Sequence, residues 1–210
     1  MDFVSSSTFS QLVVSESAAS CWMNQWAKSS IGKFDLDETR INLLLETDWI
    51  KLTSSTMSNH LPIFQSKLGH DIPMKLEVSY KDFNVMYGKF DSDIIMEYTA
   101  CVGFFMHSHE SHEEVLYDEI PMIASVDMTM ADDVAYMHVL NLKHDTESKY
   151  GVKRMPVRNN MDMGEGDYRE FLSSYGFFLS DFKKWLNNDY LSWGIKFPYN
   201  PKEFYTTVTF

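Results

Sequence analysis

Apolar positions along the chain follow two different rhythms. Residues Phe9 to Val14 form a short extended run, after which Ser15 and Glu16 open a segment with Ala18, Ala19, Trp22, Met23 and Trp26 at helical spacing. The spacing predicts a helix ending near Ser30, with Gly32 as the break. Ile41 to Leu45 and Trp49 to Leu52 read as extended or turn-like, and Met57 to Leu68 as a short helix closed by Gly69, with Pro62 in its first turn. From Ile72 the period becomes two. Ile72, Met74, Leu76, Val78 and Tyr80 alternate with polar residues and continue through Val85 and Tyr87 to a turn at Gly88. Three longer alternations follow: Ile94 to Met106, Ile120 to Met130, and Val134, Tyr136, His138, Leu140 and Leu142, the last two joined by a tight turn at Ala131-Asp132-Asp133. These predict an antiparallel meander that has to hide one apolar face by twist or by a second layer. Near the end the helical period returns. Tyr168, Phe171, Leu172, Tyr175, Phe178, Leu179, Phe182, Trp185, Leu186 and Tyr190 share one side of a long amphipathic helix beginning near Glu165 and ending at Gly194. Phe204, Thr206, Val208 and Phe210 form a closing strand.

Length gives one domain, or at most two small ones, for 210 residues. We expect a flexible segment over residues 1–8 and a single domain over 9–210. The apolar set is unusual, with fourteen Met, fifteen Phe, eleven Tyr and five Trp. Such side chains either fill a core or line a space. Thirty acidic residues against eighteen basic ones give a formal net charge of −12, which opposes a phosphate-tracking nucleic-acid surface and attraction to anionic membranes. No run approaches the roughly 20 apolar residues of a membrane-spanning helix. Met1-Asp2 and the Ser/Thr-rich stretch behind it do not form a signal peptide, so the sequence is that of a non-secreted protein or of a processed or partial chain. Cys21 and Cys101 are the only cysteines. Two buried free thiols are favoured over a single bridge.

Element order and landmarks resemble the carboxy-terminal barrel of the bactericidal/permeability-increasing and lipopolysaccharide-binding protein family, within the tubular lipid-binding (TULIP) superfamily. Asn188-Asp189-Tyr190-Leu191-Ser192-Trp193-Gly194-Ile195-Lys196-Phe197-Pro198 resembles the family's pattern at the end of its long helix. The run from Phe9 to Ser17 is similar to the strand-to-helix entry of that barrel, and Asp71 to Val78 to the strand after its short helix. The resemblance implies an α+β fold: a highly curved antiparallel sheet wrapped around a long amphipathic helix, with a second helix near the N-terminus. It further implies a hydrophobic tunnel for the acyl chains of a phospholipid, and an extracellular or vesicle-lumen location if the chain is processed or partial. Met and aromatic side chains suit such a lining because they adapt to an irregular ligand. Burial contributes about 0.8 kcal/mol per methylene, so tight binding needs no polar catalytic group. Two departures stand out. Well-known members join two barrels, and the basic tip used for lipopolysaccharide has no counterpart here.

The expected lining is Trp22 and Trp26 on the first helix, Met96, Tyr98, Met122 and Met128 on the strands, and Phe171, Tyr175, Phe178, Phe182 and Trp185 on the long helix. The alternative is a structural subunit, paired with a second barrel or a larger assembly, whose core is filled by side chains. His107, His109, Glu110, His112, Glu113 and Glu114 could ligate zinc or copper, but a solvated hairpin accounts for them more simply. Asp132 and Asp133 suit a turn, and His138 reads as a core histidine. Lys149, Lys153, Arg154 and Arg158 form the basic cluster, suited to lipid headgroups, an acidic partner or plain solvent. There is no phosphate loop or nucleophile elbow. The expectation is therefore a lipid-binding protein that sequesters or transfers its ligand, without catalytic residues, cofactor or metal.

Overall fold

The computed structural model describes residues 10–12, 14–44, 51–88, 94–107, 112–131, 134–144, 155–187, 194–196 and 204–206. The elements run β1 (Ser10–Leu12), α1 (Glu16–Lys28), a 3-10 turn (Ser30–Gly32), β2 (Lys33–Leu36), α2 (Glu38–Leu44), α3 (Ser54–Met57), α4 (Ile63–Leu68), β3 (Met74–Tyr87), β4 (Ile94–His107), β5 (His112–Ala131), β6 (Val134–His144), β7 (Arg158–Asn159), α5 (Glu165–Asn187), β8 (Gly194–Lys196) and β9 (Phe204–Thr206). Strands β2, β3, β4, β5, β6 and β8 lie side by side in one curved antiparallel sheet, with β7 added to β5. β1 and β9 pair separately, in parallel.

Ser15 caps α1 by accepting from the backbone N–H of Ala18, as its position before the first apolar turn predicts. The segment read as one helix from Met57 to Leu68 is instead the last residue of α3, a turn and α4. Thr53 and Thr56 close a reciprocal cap on α3, and Pro62, which has no N–H to donate to an earlier turn, stands at the N-cap of α4. Gly69 ends α4 with φ of 93°, a backbone region that L side chains rarely adopt. The extended reading of Ile41 to Leu45 is corrected, because α2 covers Glu38–Leu44, where Asp37 Oδ1 accepts from the Arg40 N–H in the first turn. Gly194 begins β8 rather than merely ending the helix.

The sheet's inner face follows from register. Met74, Leu76, Val78 and Tyr80 of β3 face the same side as Met106, Phe104, Val102 and Ala100 of β4, and then Leu116, Asp118, Ile120, Met122, Ala124 and Val126 of β5. A bulge between Lys81 and Asn84, with Asp82 at φ of 58°, restores Phe83 and Val85 to that side. β4 and β5 shift register between Phe104 and Phe105, and a third irregularity, at Ser125/Val126, changes β6. Leu142 faces inward opposite Ala124, but Val139 replaces Leu140 opposite Val126, and His138 falls opposite Asp127 on the outer side. The core-histidine reading of His138 is thereby corrected: it is exposed. Strict alternation fails wherever one extra residue enters a strand.

Helix α5 lies in the concavity and touches three strands. Phe171 meets Phe104 of β4, Tyr168 reaches Asp118 of β5, and Tyr175 meets His144 of β6. Phe64 of α4 completes one end, its ring centroid 4.6 Å from that of Phe104 and 6.5 Å from that of Phe171. Met161 and Met163, in the segment between β7 and α5, are buried in the same cluster.

Candidate functional site: the inner wall between two helices

Helix α1 covers β3, and α5 covers the opposite side of the concavity toward β6. The attachment of α1 is polar. Asn24 donates through Nδ2 to the Phe83 carbonyl at 2.8 Å and accepts through Oδ1 from the Phe83 N–H at 3.0 Å. Ser20 Oγ accepts from the Val85 N–H, and Glu16 from the Tyr87 N–H. Side chains of a helix thus satisfy backbone donors along the part of β3 that lies beyond its pairing with β2, a solution to the edge-strand problem.

This attachment sets the rotation of α1 and decides the fate of its two tryptophans. Glu16, Ser20 and Ala27 define the side turned to β3, leaving Trp26 on the flank and Trp22 on the far side. Trp26 is half-buried, stacked on Tyr80 with centroids 5.9 Å apart and edge-on to Phe83. Trp22 is 69% exposed. Its assignment to the lining is corrected: helical spacing groups Trp22 with Trp26, but hydrogen bonding to β3 turns Trp22 to solvent. Cys21, beside it, is exposed and free, whereas Cys101 is buried and free, so the expectation of two buried thiols holds only for Cys101.

Among the other expected lining residues, Met122, Phe171 and Tyr175 are buried, and Met96 and Tyr98 are half-buried. Met96 and Tyr98 occupy inward register positions beside Ala124 and Met122. The side chains of Met128, Phe178, Phe182 and Trp185 lie outside the described residues, although the β5 and α5 backbones that carry them are placed. The inner wall is therefore uneven. Around Phe64, Phe104, Tyr168 and Phe171 it is closed by rings in mutual contact. Between α1 and α5, Leu76, Val78, Tyr80, Met96, Tyr98 and Leu172 stay partly exposed although they face inward or pack on the core.

Aromatic geometry builds this seam. Tyr98 stacks on Phe83 with centroids 5.0 Å apart, and Tyr80 stands edge-on to Tyr98 at 5.7 Å. Burial raises the phenol pKa of Tyr80, of Tyr98 and of Tyr175, with the other phenols adding to the rise at Tyr98 and Tyr175. All three therefore remain neutral hydrogen-bonding groups at ordinary pH. Gly176 permits the close approach of α5 to β6, because a Cβ there would lie 2.9 Å from Nε2 of His144.

Sequence reading missed the most buried polar contact. Asp118, fully buried, accepts a short hydrogen bond from the Tyr168 hydroxyl and a 2.9 Å bond from the Glu119 N–H. A signal existed, because Asp118 stands two residues from both Leu116 and Ile120 on one face. Starting the strand at Ile120 hid it.

The other candidate clusters resolve differently. Arg158 forms a two-pronged ion pair with Glu114, its Nη2 donating at 2.7 Å to Oε2, and its guanidinium lies 3.9 Å over the Tyr117 ring. It thus fastens β7 to the outer side of β5 and is not held out for a headgroup. Lys149, Lys153 and Arg154 lie outside the described residues, as do His109, Glu110, Asp132 and Asp133. His107 and His112 pair across β4 and β5, and among the described residues no three potential ligands converge on one point. A groove of about 380 Å³ at Ser58, Pro62, Gln65, Ser66 and His70 opens on the surface of α4, away from the seam residues. No helix among the described residues is long and apolar enough to cross a membrane.

No family model matches the chain, and no curated protein does. Among solved structures it is similar to the crystal structure of lipopolysaccharide binding protein, with a TM-score of 0.50 and 10% identity over 80% of this chain and 34% of that one. The chain thus spans about a third of the length of that structure. With a curved antiparallel sheet folded around a long aromatic helix, the chain has a fold of the bactericidal/permeability-increasing and lipopolysaccharide-binding protein kind.

Proposed function

We propose that the protein binds a lipid, with the hydrocarbon lying in the seam between α1 and α5 against the inner face of β3 and β4. One observation carries the reading: apolar side chains that register turns inward, Leu76, Val78, Met96 and Tyr98, stay partly exposed while their neighbours on β5 are buried. A concave apolar wall open to water favours an apolar occupant, at about 25 cal/mol for each Å² covered. Sequestration or transfer of a phospholipid or a similar lipid is the activity that follows. The acidic surface gives no support to lipopolysaccharide as that ligand.

The closed end around Phe64, Phe104 and Phe171 favours a second reading, a barrel that serves as a filled scaffold within a larger assembly. Native mass spectrometry of the purified protein, followed by organic extraction, separates the two. Lipid binding predicts a mass increment of one lipid that extraction removes. A folded protein without an adduct, which also takes up no lipid from added micelles, supports the scaffold instead.

A further inference from the structure

We infer that the lipid held in the seam is uncharged and carries a hydroxyl, ester or keto oxygen on its buried part, with the phenols of Tyr80 and Tyr98 as its hydrogen-bonding partners. The inference rests on the lipid-binding reading above and narrows it to a chemical class.

Three observations converge on it. The first is charge. Among the described inward positions of β3, β4, β5 and β6 there is no Lys or Arg; the ionisable groups are Asp118, His144 and tyrosines. Lys183, on α5, is committed to the Leu140 carbonyl at 2.7 Å. A buried carboxylate or phosphate would need a paired cation. The second is hydrogen bonding. Among the described residues no group hydrogen-bonds the hydroxyl of Tyr80 or of Tyr98, although both rings are held in the aromatic stack with Phe83. Neither hydroxyl is a buried orphan, so both are left to water, and a ligand that covers them has to replace that hydrogen bond. The third is protonation. Burial holds both phenols above their ordinary pKa, so each can donate to or accept from a neutral oxygen without becoming an anion. Leu76, Val78, Met96 and Leu172 around them take the hydrocarbon.

The test is displacement of a bound fluorescent apolar probe by three competitors of equal chain length: hexadecanol, hexadecanoate at a pH where it is ionised, and dipalmitoylphosphatidylglycerol vesicles. The inference predicts that hexadecanol competes at least about tenfold better than hexadecanoate, and that Tyr98→Phe weakens hexadecanol by about three- to tenfold, the value of one hydrogen bond. Hexadecane, which has no oxygen, should bind wild type and Tyr98→Phe alike. Tyr80→Phe provides a second variant if Tyr98→Phe loses its native circular dichroism. Equal competition by the ionised species, or a phenol deletion that leaves hexadecanol unchanged in both variants, overturns the neutral-lipid inference while leaving lipid binding intact. Failure of every competitor and of the probe to bind overturns the lipid-binding reading itself, and this inference with it.

Discussion

At the scale of single residues, the strongest constraints are polar groups in apolar places. Asp118 is an acceptor on the inner wall, and Tyr168 of α5 donates to it, so one hydrogen bond joins the long helix to the middle of the sheet. Tyr168→Phe keeps the ring that stacks on Phe171 and removes only the donor. It should cost about 1–3 kcal/mol, the penalty for depriving a buried acceptor, read as a lower urea midpoint with an unchanged slope. On the outer side, the Arg158 guanidinium beside Glu114 holds its carboxyl below the ordinary carboxylate value. Because the folded-state pKa is the lower one, the pair stabilises the protein above the unfolded value of about 4.3 and ceases to do so as pH falls through the folded value. Arg158 is half-exposed, so the contribution is at most about 1 kcal/mol. Glu114→Gln should therefore melt below wild type near pH ~7 and together with it near pH ~3. A gap that persists at low pH would mean that packing, not charge, holds β7 to β5.

At the scale of elements, the attachment of α1 by side chains to the backbone of β3 is what leaves the seam between α1 and α5. Asn24→Ala removes both bonds to Phe83. The expected result is a stability loss of about 1–3 kcal/mol with faster amide exchange at Phe83 and Val85, while β4 and β5 stay protected. Uniform loss of protection across the sheet would show that α1 is not a separable cover. The long alternations from Met74 to Tyr87 and from Ile94 to Met106, and the aromatic stripe of α5, were legible in the sequence because two-residue and 3.6-residue periods leave different marks. What escaped detection has physical causes. One extra residue in β6 beside Ser125/Val126 shifts the alternation, which placed His138 and Leu140 on the wrong side; the bulge near Asp82 shifts β3 in the same way. β2 and α2 are too short to show a period, and Trp22 points outward because of hydrogen bonds that no hydropathy pattern contains. For the site, Tyr98, Met122, Phe171 and Tyr175 were legible as inward residues, whereas Tyr80 as a lining phenol and the Asp118–Tyr168 contact required the register of three strands.

At the scale of the whole molecule, Met and aromatic residues occupy two settings. They close one end of the concavity, where Phe64, Phe104, Phe171, Met161 and Met163 meet, and at Tyr80, Met96 and Tyr98 they stay partly exposed on the inner wall. Fold similarity to lipopolysaccharide binding protein is confined to a part equal to 34% of that chain, and this chain carries a formal net charge of −12. The account's central claim is therefore positional: a lipid sits against β3 and β4 between the two helices, not at the closed end. Photocrosslinking with a diazirine-bearing long-chain alcohol, followed by peptide mapping, tests it most directly. The account predicts adducts on Leu76, Tyr80, Met96, Tyr98 or Leu172 that unlabelled alcohol suppresses. Saturable adducts confined to Phe64, Phe104 and Met163, or to the exposed Trp22, would contradict it.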